Sequence, residues 1–354
     1  MNIFGVDDGN YSCKLYGRVK NDVVSQITPS LVRKGLNREK SVLEGTGIKG
    51  GGDAASTFQI GEEVYSTGFV KTDSKRSQDR DYICSNENVA VVHNALHQAG
   101  MSGQEVSIMT GMPFKYFYKP SGEVNSNLVD RKKKAFKQVV EDFTTDRRPV
   151  TIAKHGIMAQ GEAAYYDLLI EMDFKHSSTG IKVTGKPNPE ILEATVLVLD
   201  MGGGTTDPVL IKEGGVVDHT RSGTFEHGGY KLISELEDLV KAEHGLTRDL
   251  GREKYQEALL TGELRQNASR VLDVRDLQQQ VIERHFDIIM EKTIATVDGL
   301  EDVDIIVPVG GTPLFFTDVM KEKVRMCELR QVDDPINANA RGAYKRLFLT
   351  LHAS

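Results

Sequence analysis

The chain carries one short phrase twice. Val6-Asp7-Asp8-Gly9 and Leu199-Asp200-Met201-Gly202 each close an apolar run with an aspartate, and a glycine follows two residues later. Strand-like residues resume on the far side of both turns, at Cys13-Lys14-Leu15-Tyr16 and at Val209-Leu210-Ile211. Each unit therefore reads as a strand, a tight turn and a second strand. Asp7 and Asp200 stand 193 residues apart in a chain of 354. Repetition at half the chain length predicts two halves of similar fold facing one another, and the length exceeds what one ordinary core holds.

The residue types in the two turns suit phosphate. Glycine lets backbone N–H groups approach an anion with no Cβ in the way. Asp200-Met201-Gly202-Gly203-Gly204-Thr205-Thr206-Asp207 adds two hydroxyl donors to three consecutive glycines. A carboxylate at a strand end can hold the water shell of Mg²⁺, which takes one or two carboxylates with phosphate oxygens and waters. Lys14, one turn of hairpin beyond Asp7, can place its ammonium on a β- or γ-phosphate. Two such hairpins clamping a triphosphate would catalyse phosphoryl transfer by positioning and charge stabilisation. A third strand, Val303-Asp304-Ile305-Ile306-Val307, leads to Pro308-Val309-Gly310-Gly311-Thr312. Pro308 predicts a bulge or a sheet edge there.

The remaining pattern organises the chain around these turns. Residues 19–86 are polar and glycine-rich and read as a small inserted subdomain with a mobile loop. Val89, Val92, Ala95, Leu96 and Ala99 recur at helical spacing before Gly100. A strand at 106–109, a basic amphipathic helix at 127–143, a strand at 150–153 and a helix at 161–173 follow. The Ser, Gly, Lys and Pro-rich stretch 175–190 reads as a boundary or exposed connection. Helices dominate 229–300, and a last helix spans 337–351.

These motifs, in this order, resemble the phosphate-1, phosphate-2 and adenosine motifs of the superfamily of actin, DnaK-type chaperones and sugar kinases. Within it the chain is most similar to the ParM/StbA plasmid segregation proteins. Phe4-Gly5-Val6-Asp7-Asp8-Gly9, the segment from Asn88 through Pro113, and Arg131-Lys132-Lys133-Lys134-Ala135-Phe136 carry that closer likeness. It covers nearly the whole chain except about residues 20–85.

The resemblance implies an α/β, actin-like (ribonuclease H-like) two-domain fold with a nucleotide cleft between the halves. Domain I would be 1–175 plus 335–354, with an insert at about 20–85, and domain II would be 190–334. Asp7 and Asp200 would organise Mg²⁺ through water. Asp8, Gly9, Asn10 and Lys14 would hold phosphates from one side, and Gly202, Gly203, Gly204 and Thr205 from the other. Gly310, Gly311 and Thr312 would receive adenosine. Gln160 or Glu162, on the connecting segment Gln160-Gly161-Glu162, would orient the hydrolytic water. Many relatives have Glu-Pro where this chain has Gln160-Gly161, and the closest often continue with Gly at the position of Thr312.

The implied function is a cytoplasmic ATPase, coupled to polymerisation, that moves plasmid copies apart through a DNA-binding adaptor at a centromere-like site. The glycine motifs do not encode the base, so GTP stays open beside ATP. A net charge of -7 argues against direct, non-specific DNA contact, which suits an adaptor. No apolar run of membrane-spanning length exists, and no membrane contact is expected. Cys13, Cys84 and Cys327 are odd in number and lack metal spacing, as in a reducing compartment. A small-molecule kinase of the same superfold is the alternative, but no second aspartate is placed to activate an acceptor hydroxyl. A non-polymerising scaffold of the cell-division type would need a membrane-binding tail, and the C-terminal Tyr344…Leu351 reads instead as a core-facing helix.

Other motifs read as ordinary structure. Gly45-Thr46-Gly47-Ile48-Lys49-Gly50 matches G-x-G-x-x-G but lacks the flanking strand and helix of a dinucleotide site. His93 and His97 have zinc spacing without the glutamate of H-E-x-x-H and read as helix-surface residues. Arg131 to Lys134 reads as a solvated helix face or filament contact.

Overall fold

A computed structural model describes residues 2–19, 22–36, 56–68, 80–143, 147–177 and 180–352. The G-x-G-x-x-G match and the loop expected around it lie outside these residues. The chain divides into two compact units, residues 1–188 with 336–354, and residues 189–335.

In the first unit, β1 (Asn2–Asp8), β2 (Ser12–Val19) and β3 (Asp22–Pro29) form two successive hairpins. After the short β4 (Val32–Lys34), β5 (Ser56–Ile60) and β6 (Glu63–Thr67) comes the helix α1 (Asn86–Gln98). It is N-capped by Ser85, whose side chain accepts from Asn88 N. Then follow β7 (Glu105–Met112), α2 (Phe114–Phe117), α3 (Ser126–Phe136), β8 (Val140–Asp142), β9 (Thr151–Ala159), α4 (Glu162–Leu169), β10 (Ile170–Ser177) and β11 (Gly180–Pro187). The main sheet has the order β3-β2-β1-β7-β9. β1 runs antiparallel to β2 and parallel to β7, and β7 is parallel to β9. β4, β6, β5 and β8 make a separate four-stranded sheet that shares a core with α1 through Phe58, Ile60, Tyr65 and Val140.

The second unit opens with α5 (Pro189–Glu193), β12 (Val196–Met201), β13 (Thr206–Lys212) and β14 (Val216–Val217). It continues through α6 (Gly229–His244), α7 (Arg252–Thr261), β15 (Glu263–Arg265), β16 (Val271–Asp273) and α8 (Arg275–Val297). It ends with β17 (Ile305–Val309), α9 (Thr317–Lys323) and β18 (Glu328–Leu329). Its sheet has the order β14-β13-β12-β17-β18. Two antiparallel pairs are followed by two parallel ones. Strand for strand this is the arrangement of the first unit, so the repeated phrase marks the same hairpin in two equivalent sheets. Pro308 sits beyond the two positions where β18 pairs β17, and its register with β12 is unbroken. It is an edge proline without a bulge, with no ladder bond to lose on that side.

The last helix, α10 (Ala338–His352), packs on β1, β7 and α4 of the first unit. Alternation along β1 decides which side chains meet it. Phe4 and Val6 join the core under α1, whereas Ile3 joins that of α10. Gly5 also faces α10, and a Cβ there would lie 1.8 Å from the Ala340 carbonyl oxygen. Gly342 is equally constrained, since its Cβ would lie 1.6 Å from the Ala163 oxygen.

Four elements depart from the sequence reading. Residues 22–29 belong to the main sheet, not to an insert. The helix expected at 127–143 stops at Phe136 because Val140 turns into the small sheet, opposite Ile60. The helix expected to reach Asp173 ends at Leu169. Ile170–Ser177 and Gly180–Pro187 then pair as β10 and β11 rather than forming an exposed connection, because Met172 packs in the core of Leu347 and Leu351 of α10, and Lys345 of α10 donates to the Ile170 carbonyl oxygen at 2.8 Å.

Candidate functional site

The first-unit loop is fastened by side chains. Asp7 pairs in register with Lys14, and Lys14 Nζ lies 3.0 Å from Asp7 Oδ2. Gln160, which follows β9, donates from Nε2 to Asp7 Oδ1 at 2.7 Å. Both oxygens of Asp7 are therefore held, and each keeps a lone pair for water. Asp8 points to the other face, where Lys132 Nζ lies 2.7 Å from its Oδ2. Burial pushes the Asp8 carboxyl up from its usual value, against the pull of the Lys132 ammonium. Asn88 Nδ2 donates to the Asp8 carbonyl oxygen at 3.2 Å. Ser30 Oγ donates to the Gly9 carbonyl oxygen at 2.6 Å, and its backbone N–H donates to Tyr11 O. Burial, followed by the charges of Asp8 and Asp7, pushes the Cys13 thiol far up. Cys13 is an inert core thiol.

The second-unit loop is fastened by backbone. Gly202 N–H closes the turn on Thr205 O at 2.9 Å. The Gly202 and Gly203 carbonyls accept from Gly229 N and Tyr230 N, the first residues of α6. Gly228 makes this approach possible, because a Cβ there would lie 2.5 Å from Gly202 O. The Thr312 hydroxyl donates to Gly202 O at 2.7 Å and accepts from Gly229 N at 3.1 Å. Thr312 is thus a clasp joining three segments, where the sequence reading had it face adenosine. Gly310 (φ 95°) donates its N–H to Pro335 O, and a Cβ there would lie 2.4 Å from Met201 O. Gly204 and Gly311 have open space where a side chain would be. Those two retain the freedom to approach a ligand.

Asp200 is buried at the end of β12, and its register partner on β13 is Asp207. Cross-strand partners share one face at about 5 Å, so two carboxylates stand together. Asp207 accepts from Thr205 Oγ1 at 3.2 Å and from Thr224 Oγ1. Hard carboxylate oxygens suit Mg²⁺ held through its waters. Among the described residues no group of three His, Cys, Asp or Glu is placed to bind a metal directly.

Glu162 does not join Asp7. Its carboxylate accepts from the Tyr118 hydroxyl at 2.5 Å and lies 4.0 Å from Arg346. Gly161 donates to Asn339 Oδ1 of α10. Of the two candidates on this segment, Gln160 is the one beside the loop.

Several contributors escaped the sequence reading. Lys132 lies in the run read as a solvated helix face or filament contact, yet its side chain is fully buried. The signal was present, because Lys132, Ala135 and Phe136 form an i, i+3, i+4 stripe that faces inward. Asp207 could have been found by hairpin register, as the partner of Asp200. Ser30 and Asn88 carry no local signal. His93 and His97 are buried, not surface residues. Both rings pack on Phe58, and His97 lies 3.5 Å from Asp142 of β8.

The comparisons with known proteins agree with this architecture. Residues 1–169 match the family of the plasmid segregation protein ParM, N-terminal. No curated protein sequence matches. Among solved structures, the archaeal actin homolog Ta0583 is 19% identical with a TM-score of 0.74, over 99% of this chain and 100% of that one. ParM in a 15-stranded filament from Clostridium botulinum is 17% identical with a TM-score of 0.68, over 98% of each chain. Bacillus thuringiensis ParM with AMPPNP is 14% identical with a TM-score of 0.69, over 99% of each chain. Likeness at this identity establishes the fold. The chain has the actin-like fold, and its first 169 residues match the ParM N-terminal family.

Proposed function

We propose that this protein is an actin-like ATPase that assembles into filaments and segregates plasmid copies through a DNA-bound adaptor. The reading rests chiefly on two equivalent sheets that each deliver an Asp-x-Gly hairpin, in a chain whose first 169 residues match the ParM family. The C. botulinum filament and the AMPPNP-bound B. thuringiensis protein support self-assembly and nucleotide binding.

In this reading the ligand is a nucleoside triphosphate, ATP or GTP. Lys14 and the N–H groups of Gly9 and Asn10 hold phosphate oxygens, as do those of Gly203 and Gly204 with Thr205. Gly311 offers open backbone to adenosine. Asp7, Asp200 and Asp207 order the waters of Mg²⁺, which when bound neutralises charge on the phosphates. Gln160 gives its N–H to Asp7, so its Oε1 is left to accept from a water and orient it for attack. Nucleotide binding and hydrolysis shift assembly by their different affinities for assembling and non-assembling states. The acidic chain leaves DNA contact to the adaptor.

Purified protein with ATP and Mg²⁺ should scatter light, release phosphate without any acceptor molecule and show filaments by negative stain. A protein that consumes ATP only when a sugar or acid acceptor is added would be a kinase instead.

A further inference from the structure

We propose that Lys132 is a positioning residue for the phosphate loop, acting through Asp8 and Gly111; this rests on the nucleotide reading above. Lys132 is carried by α3, far in sequence from β1 and 21 residues from Gly111 of β7. Its ammonium lies 2.7 Å from Asp8 Oδ2 and donates to the Gly111 carbonyl oxygen at 2.6 Å, with the side chain wholly out of solvent. Stability does not account for such a pair. Withdrawing two charges from water costs several kcal/mol per ion, and apolar residues of the same volume often serve as well or better.

The place of the contact does account for it. The parallel ladder between β1 and β7 runs from Asn2 opposite Val106 to Val6 opposite Thr110. Asp8 and Gly111 lie just beyond that last pair, where the carboxyl ends of parallel strands separate and open α/β sheets take their ligands. Lys132 bridges the two strands where ladder bonds end. On one side it holds the residue before Gly9, whose carbonyl Asn88 also holds. On the other it holds the strand end that seats Gln160. The Gln160 N–H donates to Met112 O at 2.8 Å, and its Cγ would lie 3.0 Å from a Cβ on Gly111. Gln160 in turn holds Asp7. One ammonium therefore sets the spacing between the phosphate loop and Gln160.

The test compares Lys132→Met with the double variant Asp8→Asn/Lys132→Met, using Tm, ATP affinity by calorimetry with Mg²⁺, and amide exchange. The single variant leaves a buried carboxylate without its cation and should melt lower. The double variant removes both charges and should regain the wild-type Tm. Its ATP Kd should nonetheless be at least about tenfold weaker, with faster exchange at residues 9–12 and unchanged exchange at 202–205. A double variant that melts, binds and exchanges like wild type overturns the proposal. If it fails to regain Tm, Asp8→Asn alone decides: loosened exchange at 9–12 with weaker ATP binding supports the role, and wild-type values overturn it. Wild-type protein that binds no ATP would instead refute the nucleotide reading, while exchange at 9–12 would still report on the role of Lys132.

Discussion

The two glycine hairpins occupy the same place in two sheets of the same order, yet they are held by different forces. In the first unit, charge holds the turn. Asp7 and Asp8 are matched by Lys14 and Lys132, with Ser30, Asn88 and Gln160 completing the set. In the second unit, main chain holds the turn, through carbonyls of Gly202 and Gly203 docked on the start of α6 and a threonine clasp. The register makes the contrast sharp. The residue opposite Asp7 is Lys14, and the residue opposite Asp200 is Asp207. One hairpin offers a cation beside its carboxylate and suits phosphate oxygens. The other offers two carboxylates and suits a hydrated divalent cation. A duplicated scaffold thus carries two hairpins of different charge.

The largest test of that division is chemical. Asp7→Ala and Asp200→Ala should each lower ATP turnover by about 10² to 10³-fold, the usual loss when a preorganised charge is removed. Phosphate release at saturating ATP measures it, and unchanged turnover in either variant would remove that loop from the site.

A smaller difference lies in how the loops are fastened. Gly228→Ala drives a methyl group to 2.5 Å from the Gly202 oxygen and should cost about 1–3 kcal/mol of stability, as overpacking does. Gly9→Ala meets nothing closer than 3.3 Å and should shift Tm little while weakening nucleotide binding. Equal losses of Tm in the two variants would break the comparison.

The smallest effect is in pH. Burial lowers His93 and His155 of the first unit to about 3, and His227 of the second to about 4. These folded values lie below the unfolded value of about 6.5. As pH falls below about 6.5 the unfolded chain binds protons that the folded chain refuses, so stability falls with pH. The loss from His227 levels off near pH 4 and that from His93 and His155 near pH 3. Between pH 7 and 6 each should cost about 0.5–1 kcal/mol. Chemical denaturation across that interval should show a shallower slope for His227→Gln than for wild type. An unchanged slope would mean that His227 is not kept neutral.

Much of the fold was legible because its signals are local. The apolar runs ending at Asp7 and Asp200, and the glycines that follow, announce hairpins whatever surrounds them. The spacing of Val89, Val92 and Leu96 announces a helix. The β10–β11 hairpin was not legible, because Met172 packs there with α10 and the Ile170 carbonyl accepts from Lys345 of α10, more than 150 residues further on. At the first hairpin Lys14 and Gln160 both hold Asp7. Glu162 was drawn away by Tyr118, and Thr312 turned inward to Gly202 and Gly229, partners that no neighbouring residue reveals.

By itself the sequence determined two strand–turn–strand units with carboxylates at the strand ends, since strand alternation and glycine turns depend on neighbours along the chain. Tertiary structure alone decided what the buried charges and imidazoles lie against: Lys132 against Asp8, His93 and His97 against Phe58. Burial is a property of what packs from elsewhere, and the energy of an ionisable group depends more on that surrounding than on its own helix or strand.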